Sequence, residues 1–355
     1  MEVHFILLLL ALILFLFSVD KNHIKAGILV SAILFFGVAF ILETFRASSV
    51  GSDTHVYVSY FEQMGLEDGF LQAFNDGRFE PGYVMANFFI SRFTNDYMIL
   101  FFVFSIINFG SAIYFFQKYC NKNFAWVIFW LIYGDLYFQF SGVRASLAVS
   151  FSLLFFDAIL QHKLRKAFLL YLIAGSFHYS AIVCGAVFFL RLPLFQKLMK
   201  SRILLPCAFI VVGVFMNYFM SFLPDYYLSY YTDSEYAEGS VRLASIVDFA
   251  FLSLGFLLCH TSANISQLWK YYEDFRVFYI LGLGFSFLGL IFNPFNRVEM
   301  FFIPLTIVYV INVFKYLPPL KKYGLEILYT LLAVYQVVAF IVRPEWLNLF
   351  PYTFG

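Results

Sequence analysis

The chain has 355 residues, of which 62% are hydrophobic, 23% aromatic and only 13% charged. Ordinary soluble domains are about half apolar and about 25% charged, so a water-soluble enzyme is excluded, and so is a polar disordered chain. The net charge of +1 gives no basis for nucleic-acid binding or for bulk steering of an acidic ligand. Mean hydropathy is +0.81, which together with long uncharged runs places the chain in a bilayer.

A spanning helix needs about 20 mostly apolar residues. In chain order the sequence predicts spans at 3–19, 26–42, 97–116, 123–140, 143–160, 203–222, 243–262, 276–292, 298–313 and 325–342, ten in all. The first lacks a basic leader and a small-x-small cleavage site, so it reads as a membrane helix and not as a cleaved signal. Residues 83–93 are too short to span and follow Pro81-Gly82, which predicts an interfacial or re-entrant helix. The expected fold is an all-α polytopic integral membrane protein, with residues 1–355 forming a single transmembrane domain. The four cysteines, Cys120, Cys184, Cys207 and Cys259, are scattered in apolar surroundings. They read as buried small hydrophobes and predict neither a disulfide frame nor a metal site.

Residues 168–190 are long enough to span once, but Gly175-Ser176-Phe177-His178 interrupts them. Charge decides between the readings. If the segment enters and leaves on one side, sixteen of the 23 Lys and Arg residues lie on one face. The other face keeps only Arg46, Arg78, Arg92, Arg144, Arg242, Arg297 and Arg343. If it spans once, the bias disappears. Cytoplasmic loops are rich in Lys and Arg, so a broken hairpin with His178 near its tip is expected, with both termini outside. Broken backbone at membrane depth is tolerated where it is buried in protein or lines a cavity.

Under this topology the outer face carries Arg and no Lys. Guanidinium binds phosphate and carboxylate bidentately and stays charged when buried. Arg144, in the tight break Ser141-Gly142-Val143-Arg144, and Arg297, in the turn Asn293-Pro294-Phe295-Asn296-Arg297, are the expected anion ligands, with Arg46 third. Asp135, Asp248 and Glu299 lie at the same level and read equally as water-facing helix ends.

The outer segment 43–82 is acidic. Gly51-Ser52-Asp53-Thr54 predicts a capped turn into a helix. Val56, Tyr57, Tyr60 and Phe61 then recur at helical spacing and place that helix on the membrane surface, where the tyrosines read as anchors before ligands. Glu80-Pro81-Gly82-Tyr83 is a second turn. His178 is the one histidine deep in an apolar stretch, and intramembrane ionisable groups are functional candidates. The loop 223–241 is acidic and Tyr-rich, and suits either sugar stacking or an interfacial aromatic belt. No phosphate-loop, dinucleotide, nucleophile-elbow or zinc-protease motif occurs, so no cofactor is expected.

Arg46, then Val50-Gly51-Ser52-Asp53-Thr54 and Tyr57, then Glu80-Pro81-Gly82-Tyr83, Gly142-Val143-Arg144, Phe177-His178-Tyr179-Ser180 and Asn296-Arg297 together resemble the EpsG family of Wzy-like bacterial polysaccharide polymerases. Ser52 departs from the Thr common there. The resemblance implies a GT-C-like architecture in the bacterial cytoplasmic membrane, with the active site facing outward. It implies glycosyl transfer between undecaprenyl-pyrophosphate-linked oligosaccharides, which are the substrate partners along with membrane lipids, and a separate chain-length regulator as a further partner. In that chemistry Arg144, Arg297 and Arg46 hold the pyrophosphate, and Tyr57 and Tyr83 contact substrate. Glu80, His178 or Asp53 is the base for the attacking sugar hydroxyl. A lipid-linked oligosaccharide flippase, an O-antigen ligase and a sugar acyltransferase remain the alternatives.

Overall fold

The computed structural model describes residues 2–19, 25–67, 69–75, 79–120, 124–133, 135–189, 204–215, 218, 243–259, 265–342, 348–349 and 351–355. Among them the secondary structure is helical, with no strand beyond one isolated bridge between Arg46 and Phe354. Four helices are long and apolar enough to cross a membrane: Lys25–Thr44, Tyr97–Tyr119, Val143–Leu160 and Tyr272–Ile291. The described residues form two compact units, 1–182 with 331–355, and 183–330.

The first unit begins with α1 (Glu2–Val19) packed on α2 (Lys25–Thr44). Then come α3 (Thr54–Leu66), the short α4 (Phe70–Asn75) and α5 (Pro81–Ser91). Next are α6 (Tyr97–Tyr119), α7 (Trp126–Ile132), α8 (Asp135–Ser141), α9 (Val143–Leu160) and α10 (Leu164–Phe177). The segment 123–140, expected as one span, is therefore two short helices joined at Tyr133. The face of α3 expected to lie on a membrane surface packs on α5 instead, burying Tyr57, Val58, Tyr60, Phe61 and Met64. Helical spacing fixes which residues share a face and leaves open what covers it. Arg92 holds this pair together. Its Nη2 donates to the last-turn carbonyls of α3, Met64 at 2.6 Å and Glu67 at 2.7 Å.

Helices α6 and α9 pack closely, with α2 against α6. Small residues allow this, and buried polar side chains fix the register. Asn108 of α6 donates to Glu43 of α2 at 2.8 Å and accepts from Ser150 of α9 at 2.9 Å. At the far end of α9, Asp157 accepts from Lys118 (2.6 Å), Tyr119 (2.8 Å), Tyr114 (3.0 Å) and Gln161 (2.5 Å). Neither set follows from hydropathy, because each joins helices far apart in sequence.

Helix α9 ends in a Schellman motif. Lys163 N donates to Ala158 O at 2.9 Å and His162 N to Ile159 O at 3.0 Å. His162 occupies the left-handed position at φ 60° that glycine usually fills. This tight reversal sends α10 back along α9, so the start of α9 and the end of α10 meet at one end of the bundle.

The second unit holds α11 (Ala186–Phe189), α12 (Leu204–Val214), α13 (Leu243–Leu258), α14 (Ile265–Leu268), α15 (Tyr272–Ile291), α16 (Pro294–Glu299) and α17 (Ile303–Phe314). It also takes in the first half of α18 (Pro319–Val342). Helix α15 is its centre, packed by α12, α13, α16 and α17. The expected span 298–313 is shorter, starting at Ile303 after α16. The loop 223–241, expected on the outer face, and Arg78, Arg242 and Arg343 lie outside the described residues.

Candidate functional site

The site is assembled where three sequence breaks meet. The turn before α3 docks on the break between α8 and α9. Gly51 has φ +97°, and a Cβ there would strike the carbonyl of Phe140. Thr54 Oγ1 donates to that carbonyl at 3.1 Å, and Ser52 N donates to Ser141 Oγ at 3.1 Å. The two motifs Gly51-Ser52-Asp53-Thr54 and Ser141-Gly142-Val143-Arg144 thus hold each other in place. Asp53 is the N-cap residue of α3, but its side chain makes no cap bond and is exposed. Its carbonyl does the local work, accepting from Val56 N and Tyr57 N.

The second turn docks on the end of α10. Gly82 lies against Ser176, and a Cβ would collide with both its hydroxyl and its backbone. Pro81 occupies the first turn of α5, where its missing N–H costs nothing. Glu80, immediately before it, makes no cap bond with its side chain. The side chain reaches Arg144 instead, and Nη1 of Arg144 donates to Glu80 Oε2 in an ion pair. Glu80 is 5% exposed.

The guanidinium of Arg144 lies over the Phe79 ring, 4.5 Å from its centroid, with Tyr57 at 5.9 Å. Arg144 Nε is buried and has no hydrogen-bond partner among the described residues. Guanidinium offers five N–H donors in a planar fork, so Nη1 is held by Glu80 while Nε stays unfilled. An isolated buried N–H is costly unless something binds it.

Tyr57, Tyr60, Phe79 and Tyr83 form an aromatic cluster beneath this pair. Tyr60 and Tyr83 stack at 6.0 Å, and Phe79 meets Tyr60 edge-on at 4.6 Å. Burial raises the Tyr57 phenol above its ordinary range and raises Tyr83 further, so both stay neutral. Tyr83 is fully buried, and its hydroxyl has no partner at normal distance. The cluster is a floor for the Arg144–Glu80 pair.

Arg46 is 1% exposed. Its guanidinium donates to the Glu43 carbonyl and stacks on Phe101, 4.1 Å from the centroid. Burial pushes its pKa down, and the Glu43 carboxylate opposes that shift. The tail of the chain closes over it. Ala47 N donates to Thr353 O at 2.9 Å, Gly51 N to Asn348 O at 2.9 Å and Tyr352 Oη to Leu42 O at 2.6 Å. Nothing in the sequence signals this strap, because residues 348–355 carry no periodic pattern.

His178 caps α10 in extended geometry at the same end of the unit. Its Nδ1 accepts from Ser180 N at 3.2 Å, which assigns the ring proton to Nε2. The chain reverses here. Tyr171 Oη donates to Ile182 O at 3.0 Å, although eleven residues separate the two. A straight helix would put them about 16 Å apart.

Arg297 lies on α16 in the second unit and is exposed, and Glu299 beside it is buried. Asn296 anchors that turn by donating to Ser245 Oγ at 2.7 Å and Asn293 Oδ1 at 2.9 Å. Within the first unit the structure therefore brings together Arg144, Glu80 and Tyr57, with His178 on the adjoining turn. Arg46 sits in the neighbouring core. No cluster of His, Cys, Asp and Glu able to hold a metal occurs among the described residues.

The described residues thus make up a helical protein with apolar helices long enough to cross a membrane and a buried carboxylate–guanidinium pair in its first unit. Residues 28–354 match the EpsG family, and the chain belongs to it. Proteins of this kind are Wzy-like polysaccharide polymerases. Comparison with curated proteins and with solved structures finds no match.

Proposed function

We propose that the protein joins undecaprenyl-pyrophosphate-linked oligosaccharide repeat units at the outer face of the cytoplasmic membrane. A glycan chain is transferred from its lipid carrier to a sugar hydroxyl of the next unit. The observation that carries this reading is Arg144, a fixed cation with an unfilled donor edge set beside a carboxylate, in a chain of the EpsG family.

The electrophile in such a reaction is an anomeric carbon bearing a diphosphate. The leaving group is a stable anion and needs preorganised positive charge more than a general acid. Arg144 supplies that charge in the first unit. Glu80 is the base for the incoming hydroxyl, a role that contributes about 10²–10⁴-fold. His178 is less suited to it, since its Nδ1 lone pair is engaged by Ser180 N and its Nε2–H is a donor. We assign it a hydrogen bond to a substrate oxygen.

The outward orientation has a structural argument in its favour. The tail 348–355 is bonded to residues 42–51, so both belong on one side of the membrane. With ten spans that requires 168–190 to enter and leave on the same side, and the reversal at His178 supports that path. The lysine-rich face is then cytoplasmic.

The test is reconstitution of the purified protein with a defined undecaprenyl-pyrophosphate-linked repeat unit, with products sized by mass spectrometry. A ladder spaced by one repeat mass, with free carrier released, is the expected result. A folded protein giving no ladder with its cognate unit overturns the reading and turns attention to a flippase or a ligase.

A further inference from the structure

Glu80 and Arg144 are assigned opposite tasks in the reaction, yet here they occupy each other. The Glu80 oxygen that would have to reach an acceptor hydroxyl is taken up by Arg144 Nη1. The same pair ties up the Nη1 donor that a diphosphate would use. The pairing therefore opposes both roles at once, and the surroundings make it breakable. Arg144 is the one hydrogen-bond partner that Glu80 has among the described residues, since the carboxylate makes no cap bond to α5. Arg144 keeps a stacking contact at Phe79 and the Tyr57 ring beside it. Its side chain is 22% exposed against 7% for Glu80. The arginine is thus reached first, and it holds its place when the carboxylate leaves. Its Nε has no hydrogen-bond partner among the described residues.

Resting on the reading above, we propose that Glu80 and the diphosphate of the lipid-linked donor compete for Arg144, so that donor binding releases Glu80 to act as base and the donor binds first. A diphosphate brings more charge than one carboxylate and has oxygens to fill two positions of the guanidinium fork. Glu80 then takes the proton from the acceptor hydroxyl as the new bond from that oxygen to the anomeric carbon forms. The bond from the anomeric carbon to the phosphate oxygen breaks, and its electron pair leaves with the polyprenyl diphosphate, held by Arg144. Glu80 passes its proton to water. The restored carboxylate competes again for Arg144 and helps to expel the spent carrier.

The experiment measures binding of inorganic pyrophosphate to the purified full chain by titration calorimetry. Glu80→Gln removes the competitor and is expected to bind pyrophosphate about tenfold tighter than wild type, while losing polymerase activity. Equal or weaker binding by a folded Glu80→Gln protein overturns the competition. The parent reading fails differently: pyrophosphate then binds wild type and Arg144→Ala alike, or binds neither. If Glu80→Gln does not fold, wild type answers by carbodiimide labelling of Glu80, read by peptide mass spectrometry. Saturating pyrophosphate is expected to raise labelling severalfold, and unchanged labelling overturns the proposal.

Discussion

Gly82 lies against Ser176, with no room for a Cβ between them. This one contact fastens the turn that carries Glu80 to the end of the helix that carries His178. Gly82→Ala is therefore expected to push the two turns apart. Activity should fall by more than tenfold while the thermal midpoint drops, with roughly 1–3 kcal/mol of stability lost to overpacking. Ser176→Ala should partly restore Gly82→Ala, because it removes one of the two colliding groups. The fluorescence-monitored melting curves of the three proteins check this.

Arg144→Ala should reduce turnover by about 10²–10³-fold, the usual loss of a preorganised donor to developing charge. Arg144→Lys should recover little, since a single ammonium cannot offer two coplanar donors to a diphosphate while stacking on Phe79. The ladder assay described above reads both variants.

Arg46 is expected to behave differently. It is buried on Phe101 under the tail, so Arg46→Ala should lower the melting temperature sharply, with roughly 3–5 kcal/mol lost when a buried charge partner is removed. Arg297→Ala, at an exposed position, should leave the melting temperature within a degree or two and act on turnover alone. Melting and turnover measured side by side separate the two arginines.

The tyrosine floor gives a pH prediction. Burial raises the Tyr57 and Tyr83 phenols above their ordinary value, which is about 10. The unfolded chain then releases these protons at lower pH than the folded chain does. The stability this gives is fully present below pH about 10, begins to fall above it and is lost as pH rises through the raised folded values. Tyr83→Phe removes part of this alkaline loss, and at pH 8 it is neutral or stabilising by about 1 kcal/mol, because the hydroxyl it deletes has no partner. Tyr57→Phe, which removes the phenol oxygen beside Arg144, should cost activity. Melting curves from pH 8 to 11 check the first statement.

Asp157→Ala should strip the lower ends of α6 and α9 of their shared acceptor and leave Lys118 unpaired, costing about 2 kcal/mol. Replacing both partners, Lys118→Met with Asp157→Leu, should recover most of it. A double-mutant cycle of melting midpoints measures the coupling.

Much of this was legible in the sequence for a physical reason. Apolar runs and glycine breaks are local, so α2, α6, α9 and the turns at Gly51, Gly82 and Gly142 could be placed from composition alone. That Arg144 and Glu80 are chemically active types at breaks was also visible. Their mutual pairing was not, because it depends on how two turns dock. The Glu43–Asn108–Ser150 chain and the Asp157 cluster were hidden among apolar residues, where single polar side chains give no periodic signal. The burial of Tyr57 and Tyr60 was missed because a protein-facing stripe and a lipid-facing stripe share one spacing.

The strap over Arg46 also bears on the order of synthesis. Tyr352 bonds to Leu42 across a separation of 310 residues. The turn at Gly51 emerges from the ribosome early, but the carbonyl of Asn348 that receives its N–H arrives only after the later helices have been made. A nascent chain inserting step by step therefore carries an unfinished site for most of its translation. Completion of that site reports that the later helices have already been threaded.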